Sequence, residues 1–316
     1  MTKQYATLTA EGLRIDDEET LEKFRNKMLS ASLVSSMLQC PAQWAAGQLL
    51  PKFTEQDLDN AMTRGSLFHR VMEMLFAQDK NNRGKARAME LAGEVLEEKE
   101  FSHFRHNEEA LEWLEGAIDN YFAMGSKPEN VDIANYKGRG GIEIRVIGNI
   151  EGCERQFHGF IDRLSYGKNG GLIIDDWKTG ATTKRYNPKD RYESGWAEAR
   201  QQILYAYIIN NEVKDESEEV KKARLVFPVT GEVVSIDLGN ESYKQRALKD
   251  VSDAEKVFNK SCEDNLFEYK KQFLCHWCPL VKACPGGMSP VRRVKKAIDA
   301  YNSQPDIEEL SKGLKF

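Results

Sequence analysis

Cysteines near both ends of the chain place the strongest constraint on how it can fold. Cys275, Cys278 and Cys284 are spaced C-x2-C-x5-C, and Cys40 stands far from them in SLVSSMLQCP. Three thiols at this spacing can converge on one soft-metal site, but they leave its fourth position open. If Cys40 fills that position, the site closes a loop of more than 200 residues and joins the two ends of the chain.

The bulk composition is that of a soluble globular protein. The chain has 316 residues, of which 41% are hydrophobic and 30% charged, so it can bury a sizeable core. It contains no apolar run long enough to span a bilayer, and its first residues lack the pattern of a signal peptide. We therefore expect a cytoplasmic protein with no membrane partner. In that reducing compartment, clustered cysteines favour a metal or redox role over disulfides.

The net charge of −5 argues mildly against a nucleic-acid partner, but charge is unevenly distributed along the chain. The stretch 178–191 carries five basic residues and one acid. A local positive track of this kind can bind phosphates even on an acidic protein. We predict phosphate contacts for four of its residues, Lys184, Arg185, Lys189 and Arg191, and the alternative is a solvated surface loop.

Hydrophobic periodicity predicts helices in the first third of the chain and strands after residue 140. Residues 32–50 and 57–78 have apolar positions at helical spacing, with a break expected at Pro41, and a charged helical region follows to about Tyr121. The segments GIEIRVIGNIEG, RQFHGFIDRLSYG and GLIIDDWKTG are typical of strands in a meander. Further on, the pattern predicts a helix at EARQQILYAYIINN, a strand pair at ARLVFPVTGEVVSIDL, and a C-terminal helix.

These elements indicate an α/β (α+β) fold with a mixed central sheet flanked by helices. We predict an N-terminal extension at 1–30 and a single domain at 31–290. That domain contains a helical insertion at about 80–135, and residues 291–316 form a C-terminal tail.

Two of the strand segments carry acids and a lysine at a spacing that suits a metal site. Side chains alternate across a strand, so Asp176 and Lys178 of IIDDWK share one face, while Asp175 and Trp177 share the other. If the strand GFIDRL pairs antiparallel with IIDDWK, Asp162 approaches Asp176. Two carboxylates held close repel unless a cation lies between them, and oxygen ligands suit Mg²⁺ or Mn²⁺.

Phosphodiester hydrolysis requires these residue types. A metal held by carboxylates lowers the pKa of bound water and polarises a phosphoryl oxygen. A neighbouring lysine ammonium can orient that water or stabilise negative charge as it develops. Asp-x-Lys is nevertheless a common pattern on strands and is weak evidence alone. The GxxDR segment, which lies at the distance expected for the other strand of a hairpin, strengthens its interpretation as a catalytic motif.

His69 lies upstream in GSLFHRVME, with Glu73 one helical turn further on the same face. The histidine is either a half-buried helix residue or an additional ligand, since Mn²⁺ accepts nitrogen more readily than Mg²⁺ does. Beside the strand motifs, the ligand is the better interpretation.

Taken in order, GSLFHRVME, GFIDRL, IIDDWKTG and QQILY resemble the RecB-type branch of the PD-(D/E)xK nucleases over roughly 30–290. The resemblance implies a restriction-endonuclease-like fold. It implies that Asp162 and Asp176 bind the metal, that Lys178 is the motif lysine, and that His69 is the branch's helix histidine. Gln201 and Tyr205 match its Gln-x3-Tyr motif, and the resemblance implies that this pair is catalytic and faces the site or the DNA. The alternative is a buried tyrosine with a polar neighbour.

The cysteines also match a layout found within this branch. AddB-type nucleases and CRISPR-associated RecB-like exonucleases carry one cysteine before the nuclease core and a C-x2-C-x5-C trio after it. The resemblance therefore implies a [4Fe–4S] cluster held by Cys40, Cys275, Cys278 and Cys284, which would act as a staple between the chain's ends. Zinc is the competing occupant, and unrelated buried thiols are the third interpretation.

The function implied is a metal-dependent DNA nuclease, acting on DNA ends and preferably on single strands. The chain has no P-loop, so it lacks an ATP motor of its own and either acts alone or serves a helicase, recombination or CRISPR partner. Two alternatives are an inactive nuclease fold that binds DNA or protein, and a zinc-stabilised enzyme of unrelated chemistry. The sequence leaves open the polarity of digestion and the oligomeric state.

Overall fold

The computed structural model describes residues 5–49, 59–125, 127–180 and 195–271, together with Cys275, Cys278 and Cys284. The chain divides into two compact units. The first unit is drawn from Met1–Thr54, Asn149–Phe157 and Leu248–Phe316. The second unit is drawn from Glu55–Gly148 and His158–Ala247.

The strands and helices of the described residues follow one another in these positions. The strands are β1 (Ala6–Leu8), β2 (Gly12–Ile15), β3 (Asn135–Tyr136), β4 (Arg139–Gly140), β5 (Ile142–Gly148), β6 (Phe157–Tyr166), β7 (Leu172–Trp177), β8 (Val220–Phe227), β9 (Glu232–Ile236) and β10 (Phe267–Glu268). The helices are α1 (Glu18–Arg25), α2 (Ala31–Gln39), α3 (Pro41–Leu49), α4 (Ala61–Phe76), α5 (Lys85–Leu96), α6 (Glu108–Ala123), α7 (Trp196–Glu212) and α8 (Glu241–Glu263).

A mixed sheet forms the centre of the second unit. Among the described residues it has five strands, in the order β5-β6-β7-β8-β9. β6 and β7 are antiparallel, β7 and β8 are parallel, and β8 and β9 are antiparallel. Parallel strands need a crossover connection, which α7 supplies between β7 and β8. The predicted α/β class with a mixed sheet flanked by helices is confirmed, as is the spatial order of the three-strand meander.

The helices of the second unit pack an apolar core against this sheet. In the predicted charged helical region, α5 and α6 bury Leu91, Val95, Leu114 and Ile118. These side chains join the buried face of α4 in one cluster that also contains Trp177 of β7. The cluster therefore fixes the end of the strand that carries Asp176.

The first unit contains structure that the sequence pattern did not predict. The short strands β1 and β2 form an antiparallel hairpin, and β10 pairs with β2. Trp44 of α3 lies at the centre of an aromatic cluster, with ring centroids 4.8 Å from Phe24 and 5.3 Å from Phe258. The helix break expected at Pro41 is present, since α2 ends at Gln39 and α3 begins at Pro41. In the described part of the chain, no helix combines the length and apolarity needed to cross a membrane.

Candidate active site

The β6–β7 hairpin brings Asp162 and Asp176 to one face of the sheet. Arg163 pairs with Asp175 in the antiparallel register, so the residues on either side of that pair point the other way. Asp162 Oδ2 accepts a hydrogen bond of 2.7 Å from the backbone N–H of Trp177. Both acids are almost fully buried, with 7% of Asp162 and 4% of Asp176 exposed.

Lys178 lies beside these acids at the end of β7. Its Nζ atom is 2.6 Å from Asp176 Oδ2. Burial by itself would lower the pKa of Lys178, but the carboxylate of Asp176 outweighs burial and raises that pKa. The lysine therefore carries a positive charge at neutral pH, inside the site.

His69 of α4 faces the same acids with a defined ring nitrogen. Its Nε2 atom lies 2.9 Å from the carbonyl oxygen of Trp177. A carbonyl only accepts, so Nε2 donates to it, and in the neutral ring Nδ1 presents its lone pair. Nδ1 lies 3.6 Å from Asp162 Oδ2. Metal-binding histidines commonly donate their other N–H to a backbone carbonyl in this way.

Glu143 of β5 completes the group, and sequence reasoning missed it. Its Oε1 atom lies 4.0 Å from His69 Nδ1. Its backbone has a φ of 45°, in the left-handed region that non-glycine residues seldom adopt and that often marks a functional site. In the part of the chain that the structure describes, His69, Glu143 and Asp162 form the group whose donor atoms all lie within 4.8 Å of one another.

The acidic side chains at this site disfavour one another's ionised form unless a cation lies between them. Burial, with the charges of Asp162, Glu73 and Asp176, raises the pKa of Glu143 to about 7. Burial and the charge of Asp176 raise the pKa of Asp162 to about 6. Two carboxyl groups that resist ionisation, beside an unprotonated imidazole nitrogen, fit a divalent metal, because the metal stabilises the charged form of each ligand. His69, Glu143 and Asp162 can therefore hold Mg²⁺ or Mn²⁺, with Asp176 next to them.

Metal binding is expected to release protons. At pH 6 Glu143, with a pKa of about 7, is mostly protonated and Asp162, with a pKa of about 6, is half protonated, so binding of Mn²⁺ should release between about one and two protons, and almost none at pH 8.5. Titration calorimetry in buffers of different ionisation enthalpy measures this number directly. Replacing Glu143 with glutamine should abolish most of the release. An apparent affinity that does not fall between pH 8 and pH 6 would show that these carboxyls are already ionised.

The Gln-x3-Tyr pair of α7 supports the strand that carries Asp162. Gln201 Nε2 donates a hydrogen bond of 3.0 Å to the Tyr205 hydroxyl, which also accepts from the backbone N–H of Phe160. Tyr205 is 3% exposed and lies so close to Gly159 that a β-carbon there would be 2.1 Å from the hydroxyl oxygen. The glycine of GxxDR is thus required by the tyrosine of α7. Tyr205 is buried, and the charges of Asp176 and Lys178 act on it, so its predicted role at the site stays a prediction.

A groove of about 980 Å³ opens over the site. His69, Glu143 and Lys178 line it, and α4 forms one wall. The helix approaches closely because Gly65 leaves room for Thr179, whose Oγ1 would be 2.9 Å from a β-carbon at that position. Glu73 also lines the groove and pairs with Arg70 at 2.7 Å.

The opposite face of β6 and β7 holds a buried ion network. Asp175 Oδ2 accepts from Arg163 Nη2 at 2.6 Å, and Asp175 Oδ1 accepts from Arg224 Nε at 2.6 Å. Arg163 also donates to the Tyr121 hydroxyl at 2.9 Å. Burial alone would raise the pKa of Asp175, but the two arginines hold it below its usual value. The two adjacent acids of IIDDWK therefore have different environments.

The four predicted cluster cysteines all belong to the first compact unit. Cys40 and Cys284 are buried, and the backbone N–H of Cys278 donates to the carbonyl of Cys275 at 3.2 Å. The sulfurs of these cysteines do not lie as close to one another as the donor atoms of His69, Glu143 and Asp162 do. The four basic residues predicted to contact phosphates lie outside the described residues, at 184–191.

Comparison with known proteins gives the class to which this site belongs. The model of the PD-(D/E)XK nuclease superfamily matches residues 28–285, and the chain belongs to that superfamily. No curated protein matches the chain. Among solved structures, the crystal structure of the protein SSO0001 is similar at 11% identity and a TM-score of 0.37, covering 86% of this chain and 95% of that one. A likeness at that level carries no weight for fold or function.

Proposed function

We propose that this protein is a Mg²⁺- or Mn²⁺-dependent deoxyribonuclease of the RecB-like branch, which hydrolyses phosphodiester bonds at DNA ends. The observation that carries the proposal is the orientation of His69. Its Nε2–H is fixed on the Trp177 carbonyl, so Nδ1 faces Asp162 and Glu143 as a ligand. Membership of the nuclease superfamily supports the same chemistry.

Each residue of the site would have its own role in hydrolysis. When bound, the divalent ion lowers the pKa of coordinated water and polarises a phosphoryl oxygen. His69, Glu143 and Asp162 would hold it, and Asp176 adds negative charge beside them. Lys178, whose pKa is raised, stays protonated and donates to the oxygen on which negative charge develops.

The charge of the groove supports a role for the cation in substrate binding. Of the described residues that line it, five are glutamates, and Arg70 and Lys178 are the basic side chains. A polyanion would be repelled from such a groove unless other positive charge were present. We propose that the metal ion supplies part of it and that Lys184, Arg185, Lys189 and Arg191 supply the rest.

A cleavage assay tests the proposal. Purified protein with Mn²⁺ should degrade end-labelled single-stranded DNA, and EDTA should stop it. Replacing Asp176 with alanine should abolish the activity, because Lys178 loses its partner and the site loses an acid. Binding of DNA without cleavage in Mg²⁺, Mn²⁺ or Co²⁺ would contradict the proposal and favour an inactive binding module.

We also propose that Cys40, Cys275, Cys278 and Cys284 hold a [4Fe–4S] cluster. The donor set fits, since four thiols are needed and the four belong to one compact unit. A zinc ion with Zn–S bonds of about 2.3 Å would bring its sulfurs to roughly 3.8 Å from one another. The described cysteines form no group of three with donor atoms within 4.8 Å. The proposal of a cluster rather than zinc therefore rests on the three-plus-one spacing of the cysteines, since zinc sites with four cysteines usually use two short pairs.

The cluster proposal predicts a brown protein with broad charge-transfer absorbance after anaerobic purification. Iron and sulfide analysis should give about four of each per chain. Replacing Cys278 with serine should lose the colour and most of the soluble protein, because the staple between distant segments is broken. A colourless protein that contains stoichiometric zinc, or a Cys278→Ser protein as stable as the wild type, would contradict the cluster.

A further inference from the structure

Large hydrophobic side chains that face solvent are few in the described part of the chain. Those that stand out as exposed are Met62, Phe160, Tyr166 and Val233. Two of them, Met62 and Phe160, line the groove that holds His69 and Lys178. Isolated exposed apolar residues are ordinary on a protein surface, but a pair inside a groove lined with charged residues needs an explanation.

Phe160 is the better placed of the two. It is 50% exposed, whereas its neighbours Gly159 and Ile161 are buried. It lies two residues before Asp162 on β6, so both side chains lie on the same face of the strand. Two residues along a strand span roughly 6.6 Å, which places the ring directly beside the metal-binding group.

The backbone under this ring is held rigidly. The N–H of Phe160 donates to the hydroxyl of Tyr205, and Gln201 holds that hydroxyl from the other side. Tyr205 fills the space over Gly159, so α7 packs directly on the backbone next to Phe160. An aromatic face is thus presented to the groove at a fixed position, which lowers the entropy cost of any stacking contact.

We propose that Phe160 stacks on an unpaired nucleobase next to the scissile phosphate, which makes the site selective for single-stranded or frayed DNA. This inference rests on the proposed nuclease function. A base bonded through its sugar to a phosphate at the metal site must lie within a few ångströms of that site. Among the described residues that line the groove, Phe160 is the aromatic side chain that is exposed. In a duplex both faces of an internal base are covered by its neighbours, so the contact requires a base that has left the stack.

The charge around the ring excludes a purely apolar partner. The groove walls carry the ion pairs of Arg70 with Glu73 and Glu98, so an apolar peptide helix would have to remove these charges from water with no polar groups of its own to offset the cost. A nucleotide combines a flat aromatic face with a phosphate that a cation can hold. That combination matches an aromatic ring beside a group of metal ligands.

The test combines substitutions at Phe160 with single-stranded oligonucleotides that lack one base at a chosen position. Phe160→Ala should raise KM for single-stranded DNA roughly 5- to 100-fold and change kcat much less. The wild type should show a similar rise in KM when the missing base is the one that would stack on Phe160. Phe160→Ala should be insensitive to it, because the contact is already gone. Phe160→Trp should retain the wild-type KM.

Tyr166→Ala is the matched control, since Tyr166 lies on the same strand, is 47% exposed and does not line the groove. It should leave KM unchanged, and circular dichroism should show that all variants are folded. A Phe160→Ala protein that keeps the wild-type KM, or its sensitivity to the abasic position, would overturn the stacking role while the nuclease function stands. A wild type that cleaves no DNA would overturn both.

Discussion

Replacing Asp162 with asparagine is expected to slow DNA hydrolysis about 1,000-fold while leaving the protein folded. The carboxylate is one of three donor groups that converge within 4.8 Å, and an amide is a far weaker ligand for a hard cation. In the wild type, the Trp177 N–H donates a hydrogen bond of 2.7 Å to Asp162. The asparagine oxygen can still accept this bond, so the end of β7 keeps its position. The loss should therefore be chemical rather than structural.

Thermal unfolding separates the two causes. The raised pKa of Asp162, about 6, means that ionisation costs the folded protein more than the unfolded chain. The native state then binds more protons, so metal-free stability falls as pH rises through the window from the usual carboxyl pKa to about 6. The Asp162→Asn protein lacks this loss and should melt a few degrees higher than the wild type at pH 8, but not at pH 4.

Asp132→Asn is the control, because Asp132 is an exposed acid of the same unit that pairs with Lys80. It should change neither the rate nor the melting temperature. Initial rates on labelled DNA at saturating Mn²⁺ give the first comparison. An Asp162→Asn protein with more than a tenth of the wild-type rate would remove Asp162 from the metal group.

The hairpin around Asp162 and Asp176 could be predicted because it is local. Two β segments separated by a short glycine-rich turn pair antiparallel, and the period of two then fixes which side chains share a face. The period alone predicts that Asp176 and Lys178 face one side of the strand. It places Asp175 and Trp177 on the other side. The ion pair of Lys178 with Asp176, and the burial of Trp177 in the helical core, agree with it.

Glu143 could not be found in the same way. It stands alone in GIEIRVIG, outside the GxxDR and DxK segments, and its backbone departs from regular strand geometry at a φ of 45°. Alternation therefore does not say where its side chain points. The one available signal was an acid in a strand whose other residues are apolar except for Arg145, which is too common to select a ligand without the position of β5 beside β6.

The hairpin of β1 and β2 was missed for a different reason. Its strands have three and four residues, too few to show a period. The partner that stabilises them is β10, about 250 residues away, and Asn265 bridges to the backbone of Ile15 at both its N–H and its carbonyl. Pairing over that distance leaves no trace in local sequence.

Replacing Asp175 with alanine is expected to destabilise the protein by about 3–5 kcal/mol, the largest effect on stability of any single change at the sheet. The side chain of Asp175 is fully buried and forms ion pairs with both Arg163 and Arg224. Without it, the guanidinium of Arg163 remains buried, with the Tyr121 hydroxyl and the ring of Phe76 around it and no carboxylate to balance its charge. Urea unfolding at pH 7 measures the change.

Two further variants distinguish a lost ion pair from a general loss of packing. Arg224→Met removes the more exposed arginine, leaves Asp175 paired with Arg163, and should cost only about 1 kcal/mol. Replacing Asp175 with leucine and Arg163 with methionine together should cost less than either of these changes alone, because no fully buried charge is left unpaired and the partly exposed Arg224 can turn to solvent. Since Asp176 and Lys178 face the other side of the sheet, any Asp175→Ala protein that stays folded at low temperature should keep its cleavage rate. A cost below 1 kcal/mol, or a cost for the double variant equal to the sum of the single ones, would show that the network does not stabilise the strand beneath the site.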